Sequence, residues 1–348
     1  MDLKIDNRRI GAGHPCFIIA EAGVNHNGDL SMAERLVDAA AEAGVDAIKF
    51  QTFKAERLLA PHAPKADYQR AGTSQAESQL EMLRRLELSP EAHVHLRDHA
   101  VRKGLIFLST PFDGESADFL HELGVPLFKI ASGELTNLPL LEHIARKRKP
   151  MIVSTGMAFL REVEAAINVI RKADCEEVIL LHCTSDYPAD PSECNLRAMV
   201  SMRETFAVPV GYSDHTTGLY VAVAAVALGA VVLEKHITLD KCLPGPDHRA
   251  SLEPAELTVL VQTVREVEQA LGDGVKKPVA SEQNTRRVAR KSLVAVCDLP
   301  VGTTLQEHHL VAKRPGTGIP PGESARLIGR TLTRALSADE MIQWMDVQ

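Results

Sequence analysis

The chain has 348 residues, 45% of them hydrophobic but only 4% aromatic, with a formal net charge of −7. It holds no basic run that would mark a nucleic-acid surface and no stretch of about 18 apolar residues that would span a membrane, and the N-terminal MDLKIDNRRI lacks the apolar centre of a secretion signal. The six cysteines (Cys16, Cys175, Cys183, Cys194, Cys242, Cys297) are scattered without paired spacing, which speaks against a zinc site and for reduced thiols in a cytoplasmic protein.

The first ten or so residues alternate apolar and polar, a pattern for a hairpin over about 1–14. Eight short apolar runs follow, and nearly every one ends on polar or charged residues. The first, CFIIAEA, ends near Glu21, and Gly23 and Gly28 read as a tight turn with Asn25, His26 and Asn27 as turn formers. Ser31 to Glu34 reads as a capping box that opens a helix, with Gly44 as its stop. DAIKFQT brings Lys49 and Gln51, and Ser89-Pro90 opens the next helix, with proline at its first position. LIFLSTP brings Thr110, LFKIASGE brings Lys129, Ser132 and Glu134, and MIVSTG brings Ser154. VILLHCTS carries His182 and Ser185, VPVGYSDH ends in His215, and AVVLEKH ends in Glu234 and His236. Amphipathic helical patterns separate these runs. Strand–helix alternation over eight units predicts an α/β fold, a right-handed (β/α)8 TIM barrel rather than an open doubly wound sheet. Such a barrel takes about 250 residues and is assigned to 1–272.

After about Gly272 the rhythm changes. Residues 273–290 are polar and basic and read as a linker with a short helix. Residues 291–348, dense in Pro and Gly, read as a small turn-rich second domain.

A parallel barrel gathers its strand C-termini at one mouth, so these strand-end residues should meet there. His215 and His236 end neighbouring strands about 5 Å apart, close enough to share one divalent metal with open positions for substrate. Lys49 and Lys129 point among apolar residues, a costly placement unless an anion meets them. With Thr110, Ser132, Ser154 and Ser185 they read as a phosphate or carboxylate cradle, and a Schiff-base lysine is the rival chemistry. Glu21, Glu134, Glu234 and Asp247, the last in the Gly/Pro loop LPGPDHRAS, are candidates for proton transfer or for binding sugar hydroxyls.

Taken together, IIAEAGVNHNGD, IKFQT, STPFD, KIASGE, STGM, HCTSDYP, GYSDHT, LEKHITLD and GPDHRASLEP resemble, in order, the signatures of the sialic acid (N-acetylneuraminate) synthase family, which includes bacterial legionaminic acid synthases. DLPVGTTL and KRPGTGIPP resemble the antifreeze-like (SAF, β-clip) domain that ends these enzymes. The resemblance implies a transferase that condenses phosphoenolpyruvate with an N-acetylmannosamine-type amino sugar and releases phosphate. It implies His215 and His236 as ligands of Mn2+, with Mg2+ or Co2+ as alternatives. Lys49, Lys129, Thr110, Ser132, Ser154 and Tyr187 would hold phosphoenolpyruvate, and Gln51, Glu134 and Asp247 would meet the sugar. Glu134, with Glu21 second, would take the proton of the attacking water. Arg314 would enter the partner subunit's site in a domain-swapped homodimer. Sialic acid synthases commonly carry Asn where HCTSDYP has Ser185, and Ser there resembles the legionaminate enzymes. The competing readings are a metal-dependent 3-deoxy-keto-acid phosphate synthase, a Schiff-base aldolase and a carbohydrate-binding protein.

Overall fold

Strict alternation of side chains along eight parallel strands builds the first part of the molecule. The computed structural model describes residues 2–5, 8–74 and 76–348, and the chain forms two units, residues 1–272 and 273–348. A short antiparallel hairpin, β1 (Leu3–Ile5) with β2 (Arg8–Ile10), precedes the barrel strands. These are β3 (Phe17–Gly23), β4 (Ala47–Thr52), β5 (Ile106–Pro111), β6 (Phe128–Ile130), β7 (Met151–Ser154), β8 (Val178–Cys183), β9 (Val210–Asp214) and β10 (Val232–His236). They run in the order β5-β4-β3-β10-β9-β8-β7-β6, and the short β6 lies beside β5 to complete the ring. The fold is the expected TIM barrel, with β10 paired in parallel to β3.

Each strand sends every second residue inward. The lower interior is apolar: Phe17, Ile19, Ala47, Leu108, Leu127, Ile152, Ile179, Leu181 and Val232 pack together, and Leu3, Ile5 and Ile10 of the hairpin close it from below. The intervening residues, such as Ile18, Ile48, Phe128, Val153 and Leu233, face the helices in a second, larger core. One step up each strand, the inward positions become Glu21, Lys49, Thr110, Lys129, Ser154 and Glu234.

Local signals explain several helix ends. Gly44 caps the helix Leu30–Ala43 in the left-handed conformation (φ 80°), and Ser89 caps Pro90–Arg102 by accepting the N–H of Ala92. The capping box expected at Ser31–Glu34 is not the one used. Asp29 is the N-cap, its carboxylate accepting from Ser31 N at 2.7 Å and from the Ser31 hydroxyl at 2.8 Å. An ionised carboxylate two residues earlier is the stronger acceptor, and it turns the serine into a donor.

The connection from β4 to the helix at Pro90 is long. It holds three short helices, Ala55–Leu58, Asp67–Gly72 and Gln79–Arg85.

In the second unit, residues 273–290 carry the helix Glu282–Ala289. β11 (Ser292–Ala295) pairs antiparallel with β12 (Leu310–Lys313). Isolated bridges such as Leu299↔Leu336 and Leu332↔Val347 replace longer ladders around a core that includes Leu293, Leu305 and Ile342.

At the closed end of the barrel, buried Asp46 accepts the Ile18 N–H at 2.8 Å and binds Arg265 at 3.2 Å and Arg8 of the hairpin. Asp46→Ala should leave that N–H unsatisfied and lower the unfolding free energy by about 2 kcal/mol, after discounting the half-exposed arginine partners. Urea unfolding measures this, and an unchanged midpoint would show that the cluster contributes nothing.

Candidate active site

The inward residues at the C-terminal strand ends, together with loops above them, line a mouth cavity of about 460 Å³. Among the residues expected there, the structure brings together Glu21, Lys49, Gln51, Thr110, Lys129, Ser132, Glu134, Ser154, Ser185, Tyr187, His215, His236 and Asp247. Arg314 lies in the second unit, exposed, directly after β12.

At the base of the mouth sits a buried charge cluster. Lys49 Nζ is 2.6 Å from Glu21 Oε2, an ion pair whose alignment falls short of a hydrogen bond, and 3.8 Å from Glu234 Oε2. It donates to Thr110 Oγ1 at 2.9 Å. Lys129 Nζ donates to Ser154 Oγ at 2.7 Å and lies 3.4 Å from Glu234 Oε1. The strand register causes this grouping, since Glu21 stands opposite both Lys49 and His236.

The two glutamates are driven apart. Burial lifts the Glu21 carboxyl to about 7, although Lys49 pulls the other way. Burial also acts on Glu234, but Lys129, Lys49 and the Ser213 hydroxyl outweigh it and hold the group at about 2. Burial lowers Lys129, and Glu234 offsets part of that, whereas Lys49 is raised because Glu21 and Glu234 outweigh its burial. The cluster thus sets Lys49 and Lys129 beside Glu234, which the lysines hold ionised, and Glu21, which burial pushes towards its neutral form. Two buried lysines beside a set of hydroxyl groups suit an anion.

Beside the cluster is a set of hydroxyls. Ser132 Oγ accepts the Gly156 N–H at 3.0 Å and lies 3.1 Å from Cys183 Sγ. A β-carbon on Gly156 would come within 2.2 Å of Ser185 Oγ and 2.8 Å of Ser132 Oγ, so only glycine lets these side chains converge.

His215 and His236 lie side by side, ring centroids 5.4 Å apart, with the Tyr187 ring 4.1 Å from His215. Burial keeps both imidazoles neutral, His215 at about 4 and His236 well below its ordinary value. His215 Nδ1 donates to the Thr184 carbonyl at 2.6 Å, which leaves its lone pair on Nε2. Ser213 Oγ lies 3.4 Å from that Nε2 and 2.8 Å from Glu234 Oε1, and its one proton goes to the carboxylate, the nearer and stronger acceptor. Buried His236 Nδ1 has no hydrogen-bond partner and lies 3.8 Å from Asp247 Oδ2. Burial lifts Asp247 to about 6 against the pull of Lys49. Among the described residues no three His, Cys, Asp or Glu side chains gather as a ready metal cage. The mouth offers two imidazoles and leaves other positions open.

Strand phase separates His182 from this group. It stands between inward Leu181 and Cys183, so it faces outward and bonds the Cys194 carbonyl at 2.7 Å. Other wall residues carried no sequence signal of their own. Tyr68, Gln69 and Gln79 come from the long β4 connection, Met157 from the loop after β7, and Ser213 from two residues before His215. Tyr68 packs on Tyr187 with centroids 4.8 Å apart. The usable signal was length: over thirty residues between IKFQT and Ser89-Pro90, on the mouth side, where binding loops belong.

Fold and mouth define a TIM-barrel enzyme built to grip an anionic substrate. Comparison with known proteins makes this specific: the NeuB family model matches residues 36–276 and the SAF domain model residues 290–348, and the chain belongs to the NeuB family. The chain is 51% identical over 94% of its length to the N,N'-diacetyllegionaminic acid synthase of Campylobacter jejuni, covering 98% of that protein. It is 48% identical over 97% of its length to the enzyme of the same name from Legionella pneumophila, covering 96% of it. Among solved structures, the N-acetylneuraminic acid synthetase of Leptospira borgpetersenii superposes with a TM-score of 0.73 at 37% identity, over 82% of this chain and 95% of that one. The tail expected to resemble an antifreeze-like domain is thus a SAF domain. No helix among the described residues is long and apolar enough to cross a membrane.

Proposed function

We propose that this chain condenses phosphoenolpyruvate with the open-chain aldehyde of 2,4-diacetamido-2,4,6-trideoxymannose, giving N,N'-diacetyllegionaminate and inorganic phosphate. The observation that carries the reading is the buried pair Lys49 and Lys129, converging with Thr110, Ser132 and Ser154 on one mouth cavity. The choice of sugar follows the two bacterial relatives named for diacetyllegionaminate, together with Ser185 on the mouth wall. N-acetylmannosamine, giving N-acetylneuraminate, is the second reading, favoured by the name of the solved relative.

In this mechanism Lys49, Lys129, Thr110, Ser132, Ser154 and Tyr187 hold phosphoenolpyruvate with its C3 towards the aldehyde carbon. Positioning of this kind supplies about 7–11 kcal/mol. Gln51, Glu134 and Asp247 contact the sugar, and Ser185 leaves room for its substituents. His215 and His236 would hold a divalent cation, Mn2+ first. The orphaned Nδ1 of His236 and the lone pair on His215 Nε2, opposite its donating Nδ1, fit that role. When bound, the cation polarises the aldehyde as a Lewis acid. The C2=C3 π pair then forms the new bond from C3 to the aldehyde carbon, the aldehyde oxygen takes a proton to become a hydroxyl, and C2 becomes oxocarbenium-like. Water adds at C2 and gives up a proton to a carboxylate, and the tetrahedral intermediate collapses to the ketone as its C2–O bond to phosphate breaks. Glu134, half-buried at the rim and held by Asn137 at 2.7 Å, is assigned as the acceptor, with Glu21 as the alternative. Glu21, lifted to about 7, exchanges protons readily near neutrality. Arg314 completes the site from the partner subunit in a domain-swapped homodimer. A cytoplasmic location accords with six free thiols, four of them buried.

Phosphate release should be fastest with the diacetamido-deoxy sugar, slower with N-acetylmannosamine, and abolished by a chelator. Equal indifference to both sugars would end the synthase reading. Glu134→Gln should bind both substrates yet turn over at least about a hundredfold more slowly. Near-normal turnover there, with a slow Glu21→Gln, would move the proton to Glu21. Mixing inactive Arg314→Ala and Lys129→Ala chains should restore activity in heterodimers, because one of the two mouths then has both residues intact. No recovery from verified heterodimers counts against the swap.

A further inference from the structure

Two charged side chains that take no part in the mouth lie on the opposite face of the strands carrying the histidines. Asp214 ends β9 and immediately precedes His215, and Lys235 immediately precedes His236 on β10. Alternation turns both away from the mouth, and neither has any exposed surface. They stand opposite each other in the β9–β10 register, with Lys235 Nζ 2.8 Å from Asp214 Oδ2. The same ammonium donates to the Thr216 carbonyl. Asp214 Oδ1 accepts the Thr216 N–H at 3.0 Å and its hydroxyl at 2.9 Å. The residues on both sides of His215 are thus tied to the residue beside His236.

A fully buried ion pair is seldom favourable for stability alone, because desolvation of the two charges consumes most of the Coulomb gain. Here both partners also bond to the segment that carries a histidine, Asp214 accepting from Thr216 and Lys235 donating to the Thr216 carbonyl. We infer that Asp214, Lys235 and Thr216 form a positioning clamp that sets the separation of His215 and His236 and thereby the affinity of the mouth for a divalent cation. The inference rests on the proposed assignment of those histidines as cation ligands.

The double variant Asp214→Asn/Lys235→Met removes both charges without leaving one buried alone. Mn2+ binding is read from the electron paramagnetic resonance signal of the free ion during titration, and phosphoenolpyruvate binding by calorimetry without added metal. The dissociation constant for Mn2+ should rise by about 10–100-fold, the range for groups that orient metal ligands. The phosphoenolpyruvate affinity and the circular dichroism spectrum should not change. Thr216→Val, which removes one hydroxyl and keeps the shape, should raise the Mn2+ constant less but in the same direction, and it decides the matter if the double variant does not fold. Unchanged Mn2+ affinity in the folded double variant, or in Thr216→Val when the double variant fails to fold, overturns the clamp and leaves the histidine assignment standing. A parallel loss of phosphoenolpyruvate affinity also overturns it, since that marks general loosening. If the unaltered protein binds no Mn2+, or binds it equally after His215→Ala, the histidine assignment falls and the clamp with it.

Discussion

Two ammonium groups buried at one end of a barrel impose the condition that the rest of the site answers. Lys49 and Lys129 each lose hydration worth several kcal/mol, and the chain surrounds them with Glu21, Glu234, Thr110 and Ser154. Glu234 stays ionised beside both lysines, while Glu21 is lifted towards neutrality. The two lysines are held in place before any substrate arrives, and a preorganised set of donors needs no rearrangement during reaction.

The backbone distributes these charges by a simple rule. Parallel strands in register point every second residue inward, and the lower inward layers are filled by Ile19, Leu108, Ile152 and Val232. A polar residue one step further towards the C-terminus therefore lands in the mouth, and its neighbour on either side lands among the helices. The same rule gives β10 two working residues, Glu234 and His236, with Lys235 on the reverse face. It also removes His182 from the site. A shift of one residue in any strand would exchange mouth and core residues, so the register itself carries the chemistry.

Much of this is legible in the sequence. The run endings marked Lys49, Lys129, Thr110, Ser154, His215 and His236 because apolar runs that end on polar groups have one natural reading in a parallel barrel. The helix stop at Gly44 and the proline start at Pro90 were equally plain. Tyr68, Gln69 and Gln79 were not, because their segment has neither apolar periodicity nor strand neighbours, and only its folding over the mouth makes them wall residues. Ser213 was hidden by its place in GYSDH, where the histidine draws attention and phase alone reveals the serine. Asp29 displaced Ser31 as the helix cap because the choice depends on the conformation of one residue, which periodicity does not encode.

In the proposed mechanism water attacks C2 of phosphoenolpyruvate, with the lysine cradle, the imidazole pair and the glutamates serving that event. Phosphoenolpyruvate carrying 18O in the oxygen that bridges C2 and phosphorus tests it directly. Mass spectrometry should find the label in the released phosphate, with the keto oxygen of the product drawn from water. Label retained in the keto acid would mean that the phosphorus–oxygen bond breaks, and it would contradict the mechanism.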